Sequence, residues 1–165
     1  MKTIRIEYYL AKWDKHIVDD AISIWTGIWN WGTPPVSHVE GVTDAGNMYT
    51  STMRGEENGV VKRPIKDVIQ NPDRWRVQEI ILEDEDYWQM ICWMNAELMT
   101  NKGYDTWTLL KFFLPFGRKS SNKKFICSEF VQEALVMAGF FSKRKLWSPR
   151  RLWKEIEKQN NKLKA

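Results

Sequence analysis

The chain has 165 residues, of which 43% are apolar and 28% are charged, a composition typical of a globular protein. This length predicts one domain over residues 1–165. Within it, a basic C-terminal helix is expected at about 148–165. Two cysteines are too few for a disulfide framework and their spacing fits no zinc motif, so the sequence predicts neither a metal site nor a cofactor.

The net charge of +4 is concentrated near the C-terminal end, in "FSKRKLWSPRRLWKEIEKQNNKLKA". Basic residues beside tryptophans raise nucleic-acid binding as a function class, although no recognition motif accompanies them. In "RRLWKEIEKQ" both signs of charge recur at helical spacing, which favours an exposed helix face instead.

No stretch approaches the roughly 18 apolar residues that a membrane span needs. The opening "MKTIRIEYYLAKWDKH" lacks the apolar core of a secretion signal. Because the low cysteine content also suits a reducing compartment, the sequence predicts a cytoplasmic protein without a membrane span.

The first half of the chain has the pattern of a sheet. "KTIRIEYYLA" alternates apolar and polar residues and predicts a strand, and residues 13–31, "WDKHIVDDAISIWTGIWNW", predict a helix that ends at "GTPP". Three short strands follow in "VSHVEGV", "NMYTSTM" and "GVVKRPI", and the turn-rich "TDAG" and "RGEEN" between them predict an antiparallel meander. "RWRVQEIILED" adds a strand in which Val77, Ile80 and Ile81 are expected to be at least partly buried.

The second half has the pattern of helices. "EDEDYWQMICWMNAELMTNKG" begins with acidic residues and ends at Gly103, as capped helices do. "YDTWTLLKFFLPFG" predicts a short packed helix, and another helix is expected from about Ser128 to Ala138, with Gly139 at the C′ position. Strands followed by helices predict an α+β fold with four or five strands.

The two cysteines differ in their predicted settings. Cys92 lies between Ile91 and Trp93 within a predicted helix, where a cysteine is expected to be a small buried apolar residue. Cys127 comes at the start of a predicted helix, where free N–H groups and the helix dipole stabilise an anion such as the reactive thiolate. Cys127 is therefore the candidate nucleophile, and a packed helix start is the alternative.

A candidate base lies on a strand. His38 occupies the middle of "VSHVEGV", and Glu40 returns to the same face of that strand about 7 Å along. Acyl transfer by a cysteine needs an imidazole that accepts the thiol proton and a third polar group that orients the ring. Cys127 and His38 supply the first two parts of this requirement.

At these residues the sequence resembles the circularly permuted papain-like NlpC/P60 superfamily, in particular its YiiX-like branch. Four segments carry the resemblance, roughly over residues 36–140: "SHVEGV", "MYTSTMRGEENGVVKRPI", "KGYDTWTLLKF" and "FICSEFVQEALVMAGF". In ordinary papain-like enzymes the cysteine helix precedes the histidine strand, whereas here His38 precedes Cys127, as in the permuted group.

The resemblance implies a central antiparallel sheet packed against the helix that starts at Cys127, with His38 facing the thiol. It places the third catalytic residue at Thr50, where relatives carry His or Glu. Glu40 is the local alternative, because it is a carboxylate on the same strand face as His38.

The resemblance further implies that Tyr104 and Asp105, in "GYD", line the substrate cleft. The leading hypothesis is a cysteine hydrolase of amide or ester bonds, a peptidase or amidase with acyl transfer as the variant reaction, that acts through a thioester. Its partner would be a peptide, a peptidoglycan-like or an acyl-lipid substrate. The alternative is a catalytically inactive binding protein on the same fold.

Overall fold

A computed structural model describes residues 1–11, 34–53, 57–100, 102–105 and 124–164 of the chain. The helix predicted over residues 13–31 lies outside the described residues. The same holds for all but the first two residues of the short helix predicted in "YDTWTLLKFFLPFG".

The strands form one five-stranded sheet. Their bounds are β1 Lys2–Leu10, β2 Val36–Val42, β3 Asn47–Thr52, β4 Gly59–Pro64 and β5 Trp75–Leu82. Neighbouring strands are antiparallel in the order β4-β3-β2-β1-β5, so β5 pairs with β1 at one edge and β4 lies at the other. The predicted meander of β2, β3 and β4 is confirmed.

Four helices lie within the described residues, and they are α1 Ile65–Val68, α2 Asp84–Met99, α3 Cys127–Met137 and α4 Pro149–Lys164. A single 3₁₀ turn, Pro72–Arg74, precedes β5. Gly139 has a φ of 65°, the left-handed conformation expected at the C′ position, one residue past the C-cap Ala138 of α3. With the antiparallel sheet, these helices confirm the α+β class.

The two faces of the sheet carry different side chains. One face supplies Ile4, Ile6, Tyr8 and Val39 to the main apolar core. The helices complete that core with Tyr87, Met90 and Met94 of α2, Phe130, Val131 and Leu135 of α3, and Leu152 and Ile156 of α4. A smaller cluster consists of Val42, Met48 and Trp75 with apolar residues around α1. β2 is buried along its whole length and therefore lies at the centre of the molecule.

The prediction that Cys92 is buried is wrong, because its side chain is exposed. The helix α2 meets the core through Tyr87, Met90 and Met94, which are spaced by three and four residues along one face. Cys92 lies two residues from Met90, about 200° around the helix axis, and therefore on the opposite side.

The expected burial of the last strand is correct at one position of three. Ile80 is buried against the helices, whereas Val77 and Ile81 are 46% and 65% exposed. β5 is an edge strand, so the residues that alternate with Ile80 point away from the main core. Separately, no helix among the described residues is long and apolar enough to cross a membrane.

Candidate active site

The structure brings three of the predicted site residues together in the buried interior. His38 Nε2 lies 3.2 Å from Glu40 Oε1 and 3.3 Å from Thr50 Oγ1. His38 is 5% exposed, and Glu40 and Thr50 are each 1% exposed. Glu40 reaches the ring because alternate residues of a strand share a face, and Thr50 reaches it from the neighbouring strand β3.

Both partners of His38 Nε2 can accept a hydrogen bond. The hydroxyl of Thr50 donates to the carbonyl oxygen of Val39 at 3.0 Å, so its oxygen can accept a bond from His38. The carboxylate of Glu40 is also an acceptor, and both acceptors face the same nitrogen. These contacts assign a proton to Nε2, which both the neutral Nε2–H tautomer and the imidazolium carry.

Arg63 of β4 extends this cluster. Its Nη2 donates to Glu40 Oε1 at 3.3 Å, and its Nη1 lies 3.2 Å from Glu57 Oε2. Glu40 Oε1 is therefore shared between an imidazole and a guanidinium. A buried carboxylate needs such a counter-charge to remain ionised. The sequence contains no signal for this arginine, because its approach depends on the pairing of β3 with β4.

A second carboxylate lies beside Glu40 on β1. Glu7 is directly opposite Glu40 in the β1–β2 register and is 2% exposed. Burial, and to a smaller extent the charge of Glu40, raise the pKa of Glu7 above its ordinary value, while Arg5 at 3.8 Å acts in the other direction. The site therefore contains two neighbouring buried acids, Glu7 beside Arg5 and Glu40 beside Arg63.

Cys127 is the first residue of α3 and is 4% exposed. The helix packs against both β2 and β3, the strands that carry His38 and Thr50. Cys127 therefore lies at a helix start, as the sequence predicts, where backbone N–H groups lack partners within the helix. The contact of the Cys127 thiol with the imidazole stays a prediction.

Tyr104 and Asp105 lie beside the segment that leads into α3. Tyr104 forms an isolated parallel bridge with Phe125, and the N–H of Asp105 donates to the carbonyl oxygen of Phe125 at 3.0 Å. Ser51 of β3 donates to the same oxygen at 2.8 Å. The predicted "GYD" element thus pairs with Phe125, which precedes Cys127 by two residues in the chain, and the side chains of Tyr104 and Asp105 are both buried.

A tight glycine contact keeps this element in place. Gly59, at the start of β4, has a φ of 126°, and a Cβ built there would lie 2.1 Å from the carbonyl oxygen of Lys102. Only glycine allows the 102–105 segment to approach β4 so closely. The side chain of Asn58 adds a hydrogen bond of 2.9 Å from the N–H of Tyr104.

The first turn of α3 contains an ion pair that the sequence did not predict. Glu129 is fully buried, and its Oε2 accepts from the N–H of Ile126 at 3.3 Å. Its Oε1 accepts from Arg144 Nη2 at 3.1 Å. The sequence identifies Glu129 as a carboxylate near a helix N-terminus, but Arg144 is 15 residues further along the chain.

Within the described ranges, no three His, Cys, Asp or Glu side chains come together in a way that could hold a metal ion. In comparisons with known proteins, no family model matches the chain, and no curated protein matches it either. What the site can do is therefore judged from its own geometry.

Proposed function

We propose that the chain is a cysteine hydrolase of the papain-like kind, with Cys127 as nucleophile and His38 as base. The observation that carries the proposal is the buried imidazole held by Glu40 and Thr50 on β2 and β3, two strands that also contact the Cys127 helix through their other face. A histidine oriented through one nitrogen presents the other nitrogen for proton transfer, as a Cys–His pair requires. The resemblance to the permuted NlpC/P60 superfamily supports the same assignment.

The reaction would proceed through a thioester. Nδ1 of His38 accepts the proton of the Cys127 thiol, and the thiolate attacks the carbonyl carbon of an amide or ester. The backbone N–H groups at the start of α3 stabilise the oxyanion. The imidazolium then returns the proton to the departing amine or alcohol. In the second half, His38 takes a proton from water, and the hydroxide oxygen displaces the thiolate to release the acid.

The orientation of the sheet sets a requirement on this mechanism. Val39 points into the main core, which also contains Cys127. Because adjacent residues of a strand point to opposite faces, the ring of His38 lies on the other face of the sheet. Among the described residues, β2 and β3 pair at Gly41–Tyr49 and Val42–Met48. Next to this pairing, the Thr50 side chain bonds the carbonyl oxygen of Val39. We infer that the thiol of Cys127 and the imidazole of His38 would meet where β2 and β3 are no longer paired with each other.

Two residue roles in the proposal remain distinct. Glu40 would orient the imidazole and stabilise its positive charge, because it is the only one of the two neighbours of Nε2 that can carry a negative charge. Thr50 would orient the ring by a hydrogen bond alone. Tyr104 and Asp105 would line the cleft from the side of Phe125. Peptides, peptidoglycan-like amides and acyl lipids are the substrate classes to test.

Native protein should be treated with iodoacetamide between about pH 5 and pH 9, with each cysteine followed by peptide mass. We expect Cys127 to label faster than Cys92 despite its burial, and His38→Ala to abolish this advantage. Cys92 is the internal control because it is exposed and lies away from the core. Slow labelling of Cys127 that does not respond to His38→Ala would contradict the proposal.

A binding protein on the same fold is the second candidate. The burial of the His38 cluster favours it, since both Cys127 and His38 are at most 5% exposed. The uncharged Thr50 at the third position also favours it. In this case Cys127→Ser would leave any ligand affinity unchanged, whereas a hydrolase would lose turnover completely.

A further inference from the structure

A strap, defined as residues 141–148 between α3 and α4, covers the polar side of the first turns of α3. Three of its contacts are hydrogen bonds or ion pairs with residues in the first two turns of α3. Ser128 Oγ donates to the carbonyl oxygen of Trp147 at 2.6 Å, and the N–H of Lys145 donates to Gln132 Oε1 at 3.2 Å. The third is the pair between Arg144 and Glu129.

Arg144 is the centre of the strap. Its Nη2 lies 3.1 Å from Glu129 Oε1 and its Nε lies 3.2 Å from Glu133 Oε2. Its guanidinium also lies over the ring of Phe125, with 5.5 Å between the guanidinium carbon and the ring centroid. Arg144 therefore contacts the residue two positions before Cys127 and the residue two positions after it.

Glu129 alone would oppose the chemistry proposed for Cys127. A carboxylate in the first turn stabilises the helix, but its negative charge also repels a thiolate formed two residues earlier. The carboxylate is fully buried, so solvent does not screen it. A cation bound to Glu129 removes this repulsion and leaves the hydrogen bond to Ile126 in place.

We propose that Arg144 is a positioning residue for Cys127, which acts through Glu129 by neutralising the buried carboxylate and holding the first turn of α3 in its observed geometry. The inference rests on the proposed function, since it concerns the reactivity of the same thiol. It assigns a role in the site to the strap, which lies after the segments that carry the family resemblance.

Other charged or titratable side chains belong to the elements around the start of α3, and the single and double variants of Glu129 and Arg144 leave them in place. They are His38 and Glu40 of β2, Tyr49 of β3, Glu97 of α2, Arg150 of α4, and Lys102, Asp105 and Lys124 in the adjoining segments.

The test compares iodoacetamide labelling of Cys127 in the full chain as Glu129→Gln, Arg144→Gln and the double variant. Arg144→Gln leaves the buried carboxylate unneutralised and is expected to slow labelling at neutral pH about fivefold. Glu129→Gln removes the buried negative charge and leaves Arg144 next to Glu133, so the labelling rate of Cys127 is expected to stay the same or rise. The double variant removes both charges and should return most of the way to the wild-type rate.

Stability is measured on the same samples by urea unfolding. If the ion pair were purely structural, both single variants would be less stable, and the labelling rate of Cys127 would change in the same direction in both. Opposite effects on labelling, with similar losses of stability, are the signature of the electrostatic role. Arg151→Gln is the matched control, because it removes one arginine from an ion pair with Glu155 on α4. It should change neither quantity by much.

Three outcomes decide between the two proposals. If the wild-type Cys127 labels no faster than Cys92, the proposed function fails, and the role of Arg144 fails with it. If Cys127 is reactive through His38 but Arg144→Gln labels at the wild-type rate, only the present inference is overturned. If Arg144→Gln does not fold, the Glu129→Gln variant decides. Slower labelling of Cys127 in that variant overturns the inference on Arg144, because a neutral side chain at position 129 should not destabilise the thiolate.

Discussion

The base side and the nucleophile side of the proposed active site each contain a buried glutamate paired with an arginine, but the two glutamates have different additional partners. At the base, the buried Glu40 binds Arg63 at 3.3 Å, and at the nucleophile, the buried Glu129 binds Arg144 at 3.1 Å. Both arginines are partly exposed, so each pair joins the interior to the surface. The third partner separates them, since Glu40 contacts the imidazole of His38 and Glu129 contacts a backbone N–H.

This difference indicates what each carboxylate does. Glu40 touches a group that would gain charge during the reaction, so its negative charge has a chemical use. Glu129 touches a group whose charge never changes, so its negative charge only needs to be balanced. The comparison predicts that Glu129 is more important for stability and Glu40 for reactivity.

The largest expected effect is on stability at the nucleophile side. Glu129→Ala removes a buried acceptor from the N–H of Ile126 and leaves Arg144 without one of its two carboxylates. We expect the free energy of unfolding to fall by about 3 kcal/mol, the cost of breaking a buried ion pair. Urea unfolding monitored by tryptophan fluorescence measures it.

Glu133→Ala is the matched control for this prediction. Glu133 binds the same arginine, but its side chain is 19% exposed. We expect a loss of about 1 kcal/mol, as for an ion pair near the surface. Equal losses for the two variants would show that the burial of Glu129 has no special weight.

The next effect is on reactivity at the base side. Glu40→Gln keeps the shape of the side chain and removes the charge next to His38 Nε2. We expect labelling of Cys127 by iodoacetamide to slow by about tenfold, which corresponds to the loss of one charge-assisted hydrogen bond. Thr50→Val is the comparison variant and should leave the rate nearly unchanged. The reverse ranking would assign the third role to Thr50.

The smallest effect concerns Glu7, the acid that lies opposite Glu40. Its raised pKa means that the folded state holds a proton more tightly than the unfolded state does. The stability that this proton contributes is present below the ordinary value of 4.5 and is lost as the pH rises through the folded pKa. Glu7→Gln should therefore stabilise the protein at pH 7 by a modest amount, and the gain should vanish near pH 4.

Thermal unfolding at several pH values measures this gain. Glu79→Gln is the control, because Glu79 lies on the same face of the sheet as Glu7 but belongs to the edge strand β5 and is exposed. A gain for Glu79→Gln of the same size would point to the overall charge and not to the buried pair of Glu7 and Glu40.

Periodicity explains why much of the fold was predictable. The two-residue period located five strands, and the spacing of apolar residues together with Gly139 located α3 within one residue at each end. The same local rules placed His38 and Glu40 on one face of β2 and Cys127 at a helix start. These features need only neighbours in sequence, so the chain specifies them without knowledge of its packing.

The burial of individual residues could not be read in the same way. Cys92 and Ile81 are apolar residues in regular elements, yet both are exposed. Their exposure depends on which side of α2 meets the sheet and on β5 being an edge strand. An amphipathic pattern with apolar residues on several sides does not decide that orientation.

The sequence by itself determined the five strands, the helices α2 to α4, the helix start at Cys127 and the shared face of His38 and Glu40. Tertiary structure alone decided that Arg63 and Arg144 reach the two buried glutamates, that Ser51 binds the segment before α3, and that Glu7 lies against Glu40. These contacts join residues that are far apart in the chain. Their formation follows from strand register and helix docking, which are set by the packing of the whole core.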